Sequence, residues 1–167
     1  RWSDQDDYTS WTASATNSAG SQRVTGGSKI VTAVSTRGQI LFLTDTSAHG
    51  MSFIGAPFTF GFQKLGTNCG AVSPHCAVDI SGIIYWMSSD GFYMFDGTVR
   101  KMPCTVEDFV FDNIDATQLE QVYAASNSAF GEVIWLYCST ASNQIDRYVI
   151  FNYQEKLWYT GSLDRST

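Results

Sequence analysis

Apolar and polar positions alternate with a period of two along most of this chain, and the clearest stretch runs from Val78 to Met102, VDISGIIYWMSSDGFYMFDGTVRKM. It reads as strand, Gly82 turn, strand, Asp90-Gly91 turn, strand, Asp96-Gly97 turn, strand. Its apolar positions are β-branched or aromatic, and Asp-Gly between such runs is a strong hairpin signal. Four short antiparallel strands in one meander make one blade of a β-propeller or one unit of a sandwich.

The same grammar occurs once before this stretch and once after it. A first unit spans about 30–65, with strands IVTAVST, QILFLTDT, HGMSFIG and TFGFQKL around the Arg37-Gly38 turn and Pro57. A glycine-punctuated connection, Gly66 to Gly70, leads into the second unit, about 73–102. A third unit, about 122–163, reads VYAASNS, EVIWLYCS, IDRYVIFNY and LWYTGSL, with turns at Phe130-Gly131 and at Gln154 to Lys156. Gly38, Gly82 and Gly131 each end a first strand, 44 and 49 residues apart. Propeller blades repeat at about 40–50 residues. The expected fold is therefore all-β, a β-propeller-like repeat of about three four-stranded antiparallel blades. A propeller closes with about 4–8 blades. The units are thus expected to belong to a larger ring, completed by further sequence or by a second copy.

Two segments break the alternation. Residues 105–121, TVEDFVFDNIDATQLEQ, have helical character and predict one or two short inserted helices. Thr105 is placed to cap, with Asp108 in an acidic first turn, and Val106, Phe109, Val110 and Ile114 mark one face. Residues 1–29 are rich in Ser, Thr, Asn and Gly, yet Trp2, Tyr8 and Trp11 are too bulky for a free linker. This polar segment is expected to pack on something, and 164–167 form a short tail.

Composition narrows the function more than it does the fold. A chain of 167 residues predicts one domain. Charged residues are only 16% and the net charge is −6, with no basic run, so binding to nucleic acid by phosphate neutralisation is unsupported. No apolar run is long enough to span a membrane. The chain opens at Arg1 rather than Met, which reads as a fragment of a longer protein. Cys69, Cys76, Cys104 and Cys138 form no C-x-x-C pair and read first as buried thiols. A disulfide from Cys69 to Cys76 or Cys104, or a zinc site with His75, is the alternative.

Catalytic patterns are weak. His49 reads as a turn residue and His75 as a structural group beside Pro74. There is no nucleophile elbow, phosphate loop or H-E-x-x-H. Asp90 and Asp96 both precede glycine, which turn geometry explains. SSDGFYMF resembles a sialidase Asp-box but lacks the residue separating Asp from Gly, and the six arginines are scattered. Glu107, Asp108, Asp112 and Asp115 lack the calcium-loop pattern and read as a solvated helix face. The alternating aromatics, among them Phe58, Phe60, Phe62, Tyr85, Trp86, Tyr148, Phe151 and Tyr153, read mainly as packing. No catalytic, cofactor-binding or metal-binding residue is assigned.

The order of several segments carries a resemblance. RWSDQDDYTSWTASATNSAGSQR, TRGQILFLTD, PFTFGFQKLGTNCGAVSPHCAVDISGIIYWMSSDGFYMFDG, VEDFVFDNI and DRYVIFNYQEKLWYTGSL together resemble a family of bacteriophage virion proteins. These occur in phages of marine and aquatic bacteria and are similar in layout to the tail nozzle, or stabilisation, proteins of short-tailed phages. The resemblance implies β-propellers assembled as rings at the tail, which line or plug the path of DNA exit without being enzymes and without a cofactor. It implies other tail proteins and copies of the same chain as partners, with DNA only as passing cargo. It also implies a virion location after assembly in the host cytoplasm. Family members are several times longer than this chain. The alternatives are a receptor- or glycan-binding propeller and a sialidase-like hydrolase. Trp2, Tyr8 and Trp11 are the candidate subunit contacts.

Overall fold

The computed structural model describes residues 1–55 and 57–163; the tail expected at 164–167 lies outside the described residues. Among the described residues the protein is all-β, with three four-stranded antiparallel sheets and one short α-helix. Sheet I holds β1 (Ile30–Ser35), β2 (Ile40–Thr44), β3 (Ser47–Gly55) and β4 (Thr59–Thr67). Sheet II holds β5 (Ala77–Ile80), β6 (Ile83–Ser88), β7 (Gly91–Phe95) and β8 (Val99–Lys101). Helix α1 (Glu107–Asn113) and a 3-10 turn (Leu119–Gln121) precede sheet III. That sheet holds β9 (Tyr123–Asn127), β10 (Glu132–Tyr137), β11 (Arg147–Asn152) and β12 (Leu157–Ser162). Strands lie in sequence order in every sheet, so each is a simple meander.

The turn glycines have a backbone reason. Ser81 and Gly82 form the two-residue β5–β6 loop with φ of 55° and 91°, the double left-handed geometry that matches strand twist. Gly38 and Gly131 share the left-handed region at 92° and 70°.

The sheets stack face to face. Leu43, Ala48 and Gly66 are cross-strand neighbours on one face of sheet I, and Gly66 lies directly against Val99 of sheet II. Val99 pairs with Phe95 and Phe95 with Ile84, so Ile84 and Trp86 share that face. The opposite face of sheet II carries Tyr85, Met87 and Phe92. There Phe92 meets Trp135 and Trp158 at 4.8 Å each, and Tyr85 lies 6.1 Å from Phe151, all on one face of sheet III. Being covered on both sides, β6 is buried from Ile84 to Ser88, and its sequence is apolar from Ile83 to Met87.

Indole N–H groups tie this stack to the connecting backbone. Trp86 donates to the Cys69 carbonyl at 2.8 Å, Trp135 to Cys76 at 3.0 Å and Trp158 to Pro103 at 2.9 Å. A buried indole needs such an acceptor. The run into sheet II also touches sheet III directly. Ala124 donates its N–H to the His75 carbonyl at 2.7 Å, and Ser73 Oγ donates to the Val122 carbonyl.

Two local expectations are corrected. Thr105 does not cap α1; the residue before the helix is Val106, with no side-chain cap bond. Of the expected face, Val110 is fully buried but Phe109 is half exposed, and Phe111 instead packs 5.5 Å from Phe92. His49 is not in a turn. It sits within β3, buried, stacked 5.2 Å from Phe42 and bonded to Ser47 Oγ. The β2–β3 turn falls earlier, around Asp45 and Thr46.

Candidate interaction surface

The 1–29 segment lies against the face of sheet I turned away from sheet II. That face bears Ile40, Phe42, His49, Met51, Phe60 and Phe62. Trp2 packs on it, with Phe60 edge-on at 5.3 Å and Phe62 stacked at 5.7 Å. Its indole N–H donates to the Ser18 carbonyl, and its backbone bridges Gly20, whose missing Cβ makes room for the ring. The Asp4 carboxylate accepts from Ser18 N–H and Oγ–H and so closes the loop between them. These hydrogen bonds hold the Asp4 carboxyl below its usual range. Further along, Ser47 Oγ donates to the Gly26 carbonyl, and Ser28 donates to the Asp45 carboxylate.

The three candidate contact residues therefore divide. Trp2 is spent on its own chain. Tyr8 is 82% exposed and Trp11 50%, and the Trp11 N–H returns to the Tyr8 carbonyl.

A second surface is a groove of about 520 Å³ at the junction of sheets II and III. Tyr85, Met94 and Phe151 form an apolar floor, and Asp96, Arg100 and Lys156 stand at its rim. Arg100 is paired to Asp96, and Lys156 lies 5.8 Å over the Phe151 ring. Nearby, Lys101 reaches both Glu107, at 2.8 Å, and the Asp90 carbonyl, at 2.7 Å. The acidic residues of the helical insertion thus do not act as a group: Glu107 binds Lys101, while Asp115 caps its own turn through Thr117. Among the described residues no cluster of three or more His, Cys, Asp or Glu has metal-site geometry.

No protein-family model matches the chain, and no curated protein matches it. No helix among the described residues is long and apolar enough to cross a membrane.

The cysteines are free thiols; Cys69, Cys76 and Cys138 are buried and Cys104 is half-buried. Burial pushes all four upward, Cys104 to about 11. Burial, then the Asp90 carboxylate, pushes the Tyr93 phenol to about 12. For both kinds of group the fold favours the protonated form. The unfolded chain releases these protons first, from about 9 for thiols and 10 for phenols. Their contribution to stability is thus complete below pH 9 and falls as pH rises toward 12. The thermal midpoint should be flat from about pH 7.5 to 9 and decline steadily above about pH 9, while burial of His49, which lowers its pKa, makes the midpoint fall below about pH 6.5. A midpoint unchanged at about pH 11 would show that these groups are not protected as described.

The groove was not legible in the sequence, because its lining runs from Ile83 to Lys156 and no local motif joins them. The outer face of sheet III left a signal. EVIWLYC is apolar at both parities, as in a strand covered on both sides. Yet Val133, Trp135 and Tyr137 are buried while Ile134 and Leu136 are only half-buried.

Proposed function

We propose that this chain is a structural component of a bacteriophage virion, a tail or nozzle assembly protein, whose three sheets are successive blades of a β-propeller-like ring. The observation that carries this reading is the row of meanders, stacked face to face, with apolar residues left open on the last sheet. The segment order that resembles tail nozzle proteins supports it. Its partners in this role are other tail proteins and copies of itself. A net charge of −6 suits a path along which DNA slides without sticking. The role needs neither catalysis nor a cofactor, and its location is the virion, reached after assembly in the bacterial cytoplasm.

The test is immunogold labelling of particles made by the phage that encodes this sequence, with antibody raised against the purified chain. Label at the tail supports the reading. Absence of label from both intact and disrupted particles overturns it.

A receptor- or glycan-binding module is the second reading. The groove favours it, since an apolar floor with an aromatic edge and a rim carboxylate suits a sugar ring. Retention on a glycan array, abolished by Asp96→Ala at the exposed rim, would favour it over assembly alone.

A further inference from the structure

Counting from the turn glycine gives one stacking rule for all three sheets. The third and fifth residues lie on one face, and the second and fourth on the other. The third and fifth are Leu41 and Leu43 in sheet I, Tyr85 and Met87 in sheet II, and Ile134 and Leu136 in sheet III. In sheets I and II that face is covered by the next sheet, and all four residues are at most 3% exposed. Among the described residues no sheet covers that face of sheet III, and Ile134 and Leu136 are only half-buried. Their cross-strand neighbours Ile150 and Tyr148 are half-open too, and Tyr159 beyond Ile150 is 44% exposed. Together with Tyr159 these residues form a continuous apolar row on the outer face of sheet III.

The other end of the stack is open in the complementary sense. The second and fourth residues are Ile84 and Trp86 in sheet II, and Val133 and Trp135 in sheet III; all four are fully buried against the preceding sheet. Their counterparts in sheet I are Ile40 and Phe42. The 1–29 segment reaches only part of this face. Arg23, Val24 and Thr25 border Phe42 and His49, and Trp2 covers Phe60 and Phe62. Ile40, Met51 and Phe53 still line a shallow groove with Phe60, and Phe53 is 73% exposed. Among the described residues no sheet covers the outer face of sheet III, and the 1–29 segment covers only part of the outer face of sheet I. A second copy of the chain covers both.

We propose that two copies associate head to tail. The Ile134, Leu136 and Ile150 face of each is seated on the Ile40, Met51 and Phe53 groove of the other, so that six four-stranded sheets surround one axis. The contact continues the chain's own sheet-to-sheet packing. A twofold axis generates it twice, so no apolar end is left over. Six sheets fall within the range of about 4–8 at which propellers close. The inference rests on the propeller-like reading proposed above, while the tail location is tested separately by the labelling experiment.

The experiment is light scattering on the purified chain at about 50 μM, above the micromolar-to-picomolar dissociation constants of interfaces of standard size. The expected mass is twice the 18.4 kDa of one chain. Ile134→Glu and Phe53→Glu should each give monomers with an unchanged near-ultraviolet circular dichroism spectrum. Tyr159→Glu, at a more exposed site, serves if Ile134→Glu fails to fold. Mixing the Ile134→Glu and Phe53→Glu proteins should restore a dimer, because one of the two contacts is then intact. A wild-type monomer at this concentration overturns the proposal and leaves the open face to further sequence or to another protein. A dimer broken by Ile134→Glu or Tyr159→Glu but untouched by Phe53→Glu also overturns it, since that pattern means sheet III pairs with itself. A wild-type particle larger than a dimer overturns the six-sheet closure.

Discussion

Trp135→Ala is expected to destabilise the protein by about 4 kcal/mol, read as a shift of the urea midpoint with little change in slope. Trp135 has no exposed surface and lies where β10 of sheet III meets Phe92 of sheet II, at 4.8 Å, with Trp158 stacked behind at 6.1 Å. Truncation leaves a cavity among large rings that cannot collapse onto a methyl group, so the cost falls in the upper range for core truncations. The hydrogen bond contributes less. The Cys76 carbonyl also accepts from the Met87 N–H, so removing the indole does not orphan it. Trp135→Phe should therefore cost clearly less than Trp135→Ala, about 1–2 kcal/mol, for lost volume and one hydrogen bond. Total stability of a domain this size is about 5–15 kcal/mol, so the alanine variant should sit close to unfolding at 37 °C. A loss below about 1 kcal/mol would mean that sheets II and III are not held through this face.

The second large effect is expected at Gly70, in the connection between sheets I and II. A Cβ there would lie 2.3 Å from the Asp45 carbonyl carbon and oxygen and 2.4 Å from the Thr46 nitrogen. These are backbone atoms and cannot swing aside as a side chain would. The connection is also pinned on both sides of the glycine, since Cys69 donates to the Thr46 carbonyl and Ala71 to the Thr44 carbonyl. Gly70→Ala must push the β2–β3 turn and the connection apart, at about 3 kcal/mol or more. Gly97→Ala is the control. Gly97 has a positive φ of 116° but open space around its Cβ position, so only backbone strain of about 1–3 kcal/mol applies, with no clash. Similar midpoints for the two variants would rule out the close approach at Gly70.

The parts of the fold that were legible in the sequence are those set by local rules. Alternation fixes a strand, a glycine with positive φ fixes its turn, and a meander needs nothing more, so the three sheets follow from Gly38, Gly82, Gly131 and the runs between them. What was missed depends on distant partners. His49 looks like a turn residue because it is polar beside Gly50, yet Phe42 and Ser47 give it a stacking partner and a hydrogen bond inside the sheet. The helix face was misread at Phe109 because the residue that reaches the core, Phe111, is fixed by the position of Phe92 on sheet II. The open face of sheet III was half-visible, since the apolar run in β10 marks two covered sides without saying what covers the second. Tyr8 and Trp11 were recognisable as bulky residues in a polar stretch, but the division between them and Trp2 depends on Phe60 and Phe62.

The strand order has a kinetic consequence as well. Apart from the single bridge between His75 and Tyr123, every strand pairs only with its sequence neighbours, so no sheet ladder needs a distant segment to arrive first. Closing each hairpin orders a short loop at small entropic cost, and such local pairing is the rapid part of β-sheet assembly. The slow events are those that join remote positions: the Trp135 indole reaching Cys76, 59 residues away, and the Trp158 indole reaching Pro103, 55 residues away. A newly made sheet can thus form as its residues emerge from the ribosome, while its tryptophans wait for the neighbouring sheet before they lock.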